Sequence, residues 1–205
     1  LIVKQLDYDL TPVAGLALVG HYLNAVRPVL DRLDAALPIR AGVSTADVCR
    51  PYLGLLVQGK SDFDAIENFR GAAFFKQPLG INLLPSSPTP RQRLDARAAE
   101  MFDFCPQMIE TLLTSQRPDY GVLPCGWLPL DVDTFAMDNG GTAKEGVGRT
   151  YAGVDGYCPP ARLDSGKFDT NYLVCQFAAL AMNILRLMGQ RGLLKWAFEI
   201  CSRTP

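Results

Sequence analysis

The sequence predicts an α+β fold that is mainly helical. A helical region over 1–119 is followed, over 120–205, by a β segment and a C-terminal helix. Three observations predict it. Apolar residues recur at three- and four-residue steps through the first part of the chain, which is the spacing of one helix face. Near Tyr120 the pattern changes to a strand-like run with a strong turn signal, Asp138-Asn139-Gly140-Gly141. After Asp169 the helical spacing returns. At 205 residues the chain is one large domain or one and a half. With 48% hydrophobic and 20% charged residues, a wholly disordered or collagen-like chain is excluded. A net charge of −1 excludes a strongly basic nucleic-acid coat but leaves room for a local basic face.

Residues 13–36 read as a helix with Thr11 as N-cap and Pro12 in the first turn. Leu16, Val19, Leu23, Val26, Leu30 and Leu33 form its apolar face, and Pro28 should kink or break it. Ser44-Thr45-Ala46-Asp47 opens a second helix to about Gln58, bent at Pro51. Asp62 caps a third helix through Phe69, and a short fourth covers Ala72 to Leu79. Leu84-Pro85-Ser86-Ser87-Pro88-Thr89-Pro90 is an extended turn. Thr89 then caps a helix that starts at Pro90 and runs to about Thr114.

That helix carries Arg91, Arg93 and Arg97 near its start. They read either as a solvated face shared with Asp95, Glu100 and Asp103, or as a phosphate-contacting helix start. In the second case arginines and free N–H groups meet a DNA backbone.

Gly121 to Phe135 reads as a strand, with apolar Val122, Leu123, Trp127, Leu128 and Leu130. Val147 to Tyr157 reads as a second strand, broken by glycines. The stretch from Asp169 to about Gln190 is a helix flanked at its end by Gly189 and Gly192. Its most apolar part, Tyr172 to Leu185, contains Gln176 and Asn183. It falls short of the roughly 20 residues of a membrane span, so it reads as a buried helix.

The six cysteines show no metal-ligand spacing, and the single His21 has no ligand neighbour, so a zinc site is not expected. The first residues lack the basic-then-apolar order of a secretion signal, although the chain begins at Leu1 and its true start is expected upstream. These cysteines are expected to be reduced, mostly buried thiols of a cytoplasmic protein.

Leu130-Asp131-Val132-Asp133-Thr134-Phe135 is the stretch richest in chemistry. In a strand, Asp131 and Asp133 share a face and repel each other. A Mg²⁺ ion offsets that repulsion, and two-metal phosphoryl-transfer sites are built from such acids. The plainer reading is a strand end whose aspartates face water. Asp164, in Arg162-Leu163-Asp164-Ser165-Gly166, taken alone is an ordinary loop acid. Gly141 to Gly146 has the first spacing of a P-loop, but Val147 and Gly148 replace its Lys and Ser/Thr. With no GxSxG elbow and only His21 present, a Ser-His triad is disfavoured. A haloacid dehalogenase-like phosphatase is disfavoured because Phe135 stands where that family has Thr.

Three stretches in order resemble the bacterial insertion-sequence transposases of the DDE superfamily, transposase DDE domain group 1. The first is Leu84-Pro85-Ser86-Ser87-Pro88-Thr89-Pro90-Arg91-Gln92-Arg93-Leu94. The second is Leu130 to Thr134, continued by Asn139 to Gly146 and by Tyr151-Ala152-Gly153-Val154-Asp155-Gly156-Tyr157-Cys158-Pro159. The third is Ser165 to Tyr172, followed by Phe177 to Arg186.

The resemblance implies a partial RNase H-like catalytic region over 120–205 and a DNA-binding helical region over 1–119. It further implies three acids that hold Mg²⁺, with Mn²⁺ as substitute, for attack on a DNA phosphodiester. Carried over by position, Asp131 is favoured as the first acid with Asp133 close behind, and Asp164 is the second. The third acid, a Glu, has no counterpart, because no Glu occurs between Ser165 and Phe198. The chain reads like a family member with its middle removed.

The expectation is therefore a DDE transposase impaired in strand cleavage and transfer. It would act on the terminal inverted repeats of a mobile element, in the cytoplasm at the nucleoid, with no membrane and as a homodimer. The alternative is a non-catalytic DNA-binding or dimerising remnant.

Overall fold

In the computed structural model, residues 11–60, 62–118, 120–127, 137–138, 140–141, 148–150, 152–157 and 168–203 are described. They are mainly helical with one small sheet. The helices are α1 (Leu16–Ala25), α2 (Arg27–Ala36), α3 (Ala46–Leu56), a 3-10 helix (Phe63–Phe69), α4 (Ala73–Leu79), α5 (Pro88–Met101), α6 (Phe104–Gln116) and α7 (Phe168–Arg203). The strands are β1 (Met137–Asp138), β2 (Gly148–Arg149) and β3 (Asp155–Tyr157). They form an antiparallel sheet of order β1-β3-β2, with Met137 opposite Tyr157 and Gly148 opposite Gly156.

Local chemistry sets most helix boundaries. Thr11 Oγ1 accepts the Val13 N–H at 3.3 Å, and a turn leads into α1. Pro28 sits in the first turn of α2, where a missing N–H costs nothing, so the predicted helix breaks at Val26. Ser44 Oγ accepts the Asp47 N–H at 3.1 Å, and Asp34 Oδ1 takes the Ala46 N–H at 2.8 Å. Together they satisfy donors that the start of α3 would otherwise leave bare. Asp62 caps as expected, through the Asp64 N–H at 3.0 Å, but the element it opens is 3-10 rather than α.

The single helix predicted from Pro90 to Thr114 is two helices. α5 starts earlier, at Pro88, and the chain breaks at Phe102-Asp103. Pro106 is the physical reason, since its ring would collide with the carbonyl four residues back, at Phe102. α6 ends at Gln116, with Arg117 left-handed at φ 46° ahead of Pro118, which disfavours helical geometry before it.

Residues 121–127 are not strand. The Leu123 N–H bonds the Trp127 carbonyl at 2.9 Å and the Gly126 N–H bonds Leu123 at 2.8 Å, closing a tight turn. Gly121 and Gly126 both have positive φ there, which a strand does not tolerate. The rest of that predicted strand, including Leu128 and Leu130, lies outside the described residues. The turn at Asp138 is present, with its Oδ1 accepting the Gly140 N–H at 2.8 Å. The second predicted strand splits into β2 and β3 around a turn closed by Thr150 and Val154.

α7 runs well past the predicted end. Gly189 and Gly192 do not take the positive φ of a helix stop. Residues Tyr172–Gly192 are long and apolar enough, by length and composition, to cross a membrane, with mean hydropathy 1.4. One face of α7, formed by Leu173, Phe177, Leu180, Ala181, Ile184 and Leu187, is buried. It packs on α3, α5 and α6, and Phe177 meets the Tyr52 ring edge-on at 5.8 Å.

α3 is the centre of this helical body, and every residue from Ala46 to Leu55 is buried. The predicted apolar face Leu16, Val19, Leu23, Val26, Leu30 and Leu33 is buried as well. Among the described residues, the hydrophobic core draws its buried side chains from 16–112 and 173–187. The helices before residue 119 and the C-terminal helix therefore share one core.

Candidate functional site

The arginines predicted to meet DNA are placed in three different environments. Arg91 is exposed. Arg93 turns inward, where Nη1 donates to Thr45 Oγ1 and Nη2 to the Val43 carbonyl, both at 3.2 Å. It ties α5 to the segment that opens α3. Arg97 pairs with Glu100 at 2.8 Å on the exposed side.

The start of α5 offers few free donors. Pro88 and Pro90 carry no N–H, the Thr89 N–H is taken by the Ser86 carbonyl, and the Ser87 N–H by Glu67 Oε1. The helix start thus lacks the fan of free N–H groups that holds a phosphate elsewhere.

Asp131, Asp133, Asp164 and Phe135 lie outside the described residues. The acids on the strands that are described serve local structure. Asp138 closes its own turn, and Asp155 pairs with Arg149 at 3.1 Å. Among the described residues no three His, Cys, Asp or Glu side chains converge on a metal position.

The structure brings together a polar cleft that the sequence reading did not single out. It has a volume of about 270 Å³ and opens where α1 meets α2, between the start of α3 and the end of α4. Arg27, Arg50 and Lys76 line it with Asp31, Asp34 and Asp47. Arg50 is only 7% exposed, and Nη1 donates to the Leu79 carbonyl at 3.0 Å. Burial pulls its guanidinium below the ordinary value, while the nearby Asp47 carboxylate opposes that.

Asp47, 4% exposed, accepts the Asn82 N–H at 3.0 Å and the Leu83 N–H at 2.9 Å. Arg50 and Asp47 thus hold the chain leaving α4 against α3, and the balance of charges around the cleft favours neither cation nor anion. Asp47 had signalled only a helix start. An acid and a base three apart in an otherwise apolar helix, Asp47 and Arg50, is the signal that could have pointed here.

Cys49 and Cys105 are buried, as expected. Cys125 and Cys175 are exposed, against expectation.

In comparisons with known proteins, no family model, no curated protein and no solved structure matches the chain significantly.

Proposed function

We propose that this chain is a remnant of the DDE insertion-sequence transposases that engages DNA through its helical body without completing strand transfer. The observation that carries the reading is the composition of the core. Among the described residues the helices before 119 and the C-terminal helix share one buried core, drawn from 16–112 and 173–187, which gives the helical body packing of its own. The three stretches that resemble the family run through this body and the segment between α6 and α7. The antiparallel strands β1 to β3, directly after Asp131 and Asp133, are in keeping with a partial RNase H-like region.

The missing Glu supports impairment, because two acids cannot complete the two-metal arrangement that in-line transfer needs. On this reading Asp131, Asp133 and Asp164 are the residues that would hold Mg²⁺ or Mn²⁺. Of the three arginines on α5, Arg91 is the one left to meet phosphates, since Arg93 is committed to Thr45 and Val43 and Arg97 is paired with Glu100. The cytoplasm, at the nucleoid, is the setting this reading implies.

The test is fluorescence anisotropy with duplex DNA carrying the terminal inverted repeats of the element, over a range of salt. Binding should weaken with salt, and Arg91→Ala should lower the affinity and flatten the salt slope by about one unit. With Mg²⁺ or Mn²⁺ the same duplex should remain intact. Cleavage that disappears in Asp131→Asn would make the chain a working transposase instead. Absence of any salt-dependent binding would defeat both readings.

A further inference from the structure

A groove with a volume of about 880 Å³ runs along the outer face of α6 beside α7. Ile109, Leu113, Pro118 and Tyr120 make it mostly apolar, and Glu110 and Arg117 line it before and after Leu113 in the chain. These residues are spaced as one stripe of a helix and the turn after it. Glu110 and Arg117 are seven residues apart, two helical turns, which is too far for them to pair with each other. No ion pair joins either to another described residue. A mostly apolar stripe with an acid before its centre and a base after it is its own complement when turned through two-fold symmetry.

We propose that this groove is the interface of a homodimer, formed by antiparallel pairing of α6 with α6 of a second copy. A two-fold axis between Leu113 and Thr114 sets Glu110 opposite the second copy's Arg117, and Ile109 opposite its Pro118. Both charged pairs form at once, and Leu113 of each copy meets the centre of the other's stripe. The charges select the antiparallel register, because a parallel pairing would set Glu110 against Glu110 and Arg117 against Arg117. The chain leaving the groove carries two exposed aromatics, Tyr120 at 41% and Trp127 at 73%. This inference stands independently of the transposase reading and does not need DNA.

Sedimentation velocity on the full chain over a range of concentrations tests it, with circular dichroism to confirm the fold of each variant. The unaltered chain should show a concentration-dependent monomer–dimer equilibrium. Glu110→Arg alone and Arg117→Glu alone should each raise the dissociation constant at least tenfold, on the order of the coupling seen for close charge pairs. The double variant, Glu110→Arg with Arg117→Glu, should return to within about threefold of the unaltered chain, because the swapped pair is again complementary. Leu113→Asp should leave a folded monomer. Three results overturn the proposal: a chain that stays monomeric up to about 100 μM, a dimer indifferent to both single reversals, or a double variant no better than the singles. The last two would move any dimer to another surface, or give the groove to a different occupant.

Discussion

Arg50 Nη1 lies 3.0 Å from the carbonyl oxygen of Leu79, and the next residue, Gly80, is left-handed at φ 65°. The two facts are coupled. The left-handed turn at Gly80 ends α4 and faces the Leu79 carbonyl towards α3. A Cβ at position 80 would run into the same guanidinium. Gly80→Ala should therefore lose about 1–2 kcal/mol for the backbone alone, and more for displacing Arg50. Urea unfolding of Gly80→Ala, Arg50→Ala and the double variant separates the two effects. The double variant should lose less than the sum, because without Arg50 only the backbone strain remains.

Gly20 on α1 marks the closest approach of two helices. A Cβ there would fall on the carbonyl of Pro78 in α4, which is backbone and cannot swing aside. Gly20→Ala would ordinarily favour a helix. Here it should destabilise the protein by about 1–3 kcal/mol, the range of an overpacked core. A stabilised variant in thermal unfolding would show that α1 and α4 do not pack this closely.

Glu67 takes two hydrogen bonds from Arg70, at 2.6 and 2.7 Å, and one from the Ser87 N–H at 2.9 Å. The Arg70 bonds first, and the Ser87 bond second, hold its carboxyl down to about 2. A depressed carboxylate adds stability that is fully present above the unfolded value, near 4.5, and is lost as pH falls towards about 2. Part of the acid loss of thermal stability in that window should vanish in Glu67→Gln. The group is exposed, so the effect will be modest and will shrink with salt. Identical melting curves for both proteins from pH 5 to pH 2 would remove this contribution.

The cysteines should divide by reactivity. Burial pushes the Cys105 thiol up to about 12 and pushes Cys49 well above its ordinary value. Neither forms the thiolate that attacks a disulfide reagent at neutral pH. Cys125 and Cys175 are exposed. Peptide mapping after brief treatment with a thiol reagent should find label on Cys125 and Cys175, and on Cys49 and Cys105 only after denaturation. Early label on Cys49 would mean that α3 opens far more readily than its burial implies.

Much of the helical body was legible in the chain because its signals are local. Pro28 ends one helix and begins another, Ser44 and Asp62 supply caps, and the Asp138 turn closes on its own carboxylate. The apolar spacing of Leu16 to Leu33 identified residues that are buried. Local reading failed where a local preference was overruled. Apolar Val122, Leu123 and Trp127 suggested a strand, but Gly121 and Gly126 take positive φ and the segment turns back on itself. Pro106 divides the long helix through a clash with the preceding turn, and a scan of apolar spacing does not register it.

The candidate site was less legible, for a related reason. Arg91, Arg93 and Arg97 look alike in sequence, yet Arg93 is drawn inward by Thr45 and the Val43 carbonyl, groups some fifty residues away in the chain. Asp47 announces a helix start, but only packing brings it to the N–H groups of Asn82 and Leu83. By itself the sequence determined that the chain is mainly helical, where caps and Pro28 set helix boundaries early in the chain, and which face of the first two helices is apolar. The tertiary structure alone decided which charges are consumed as struts, that α7 closes the core of the N-terminal helices, and that α3 lies at its centre. Caps and prolines act within a few residues, whereas burial and long-range hydrogen bonds depend on what the rest of the chain brings alongside.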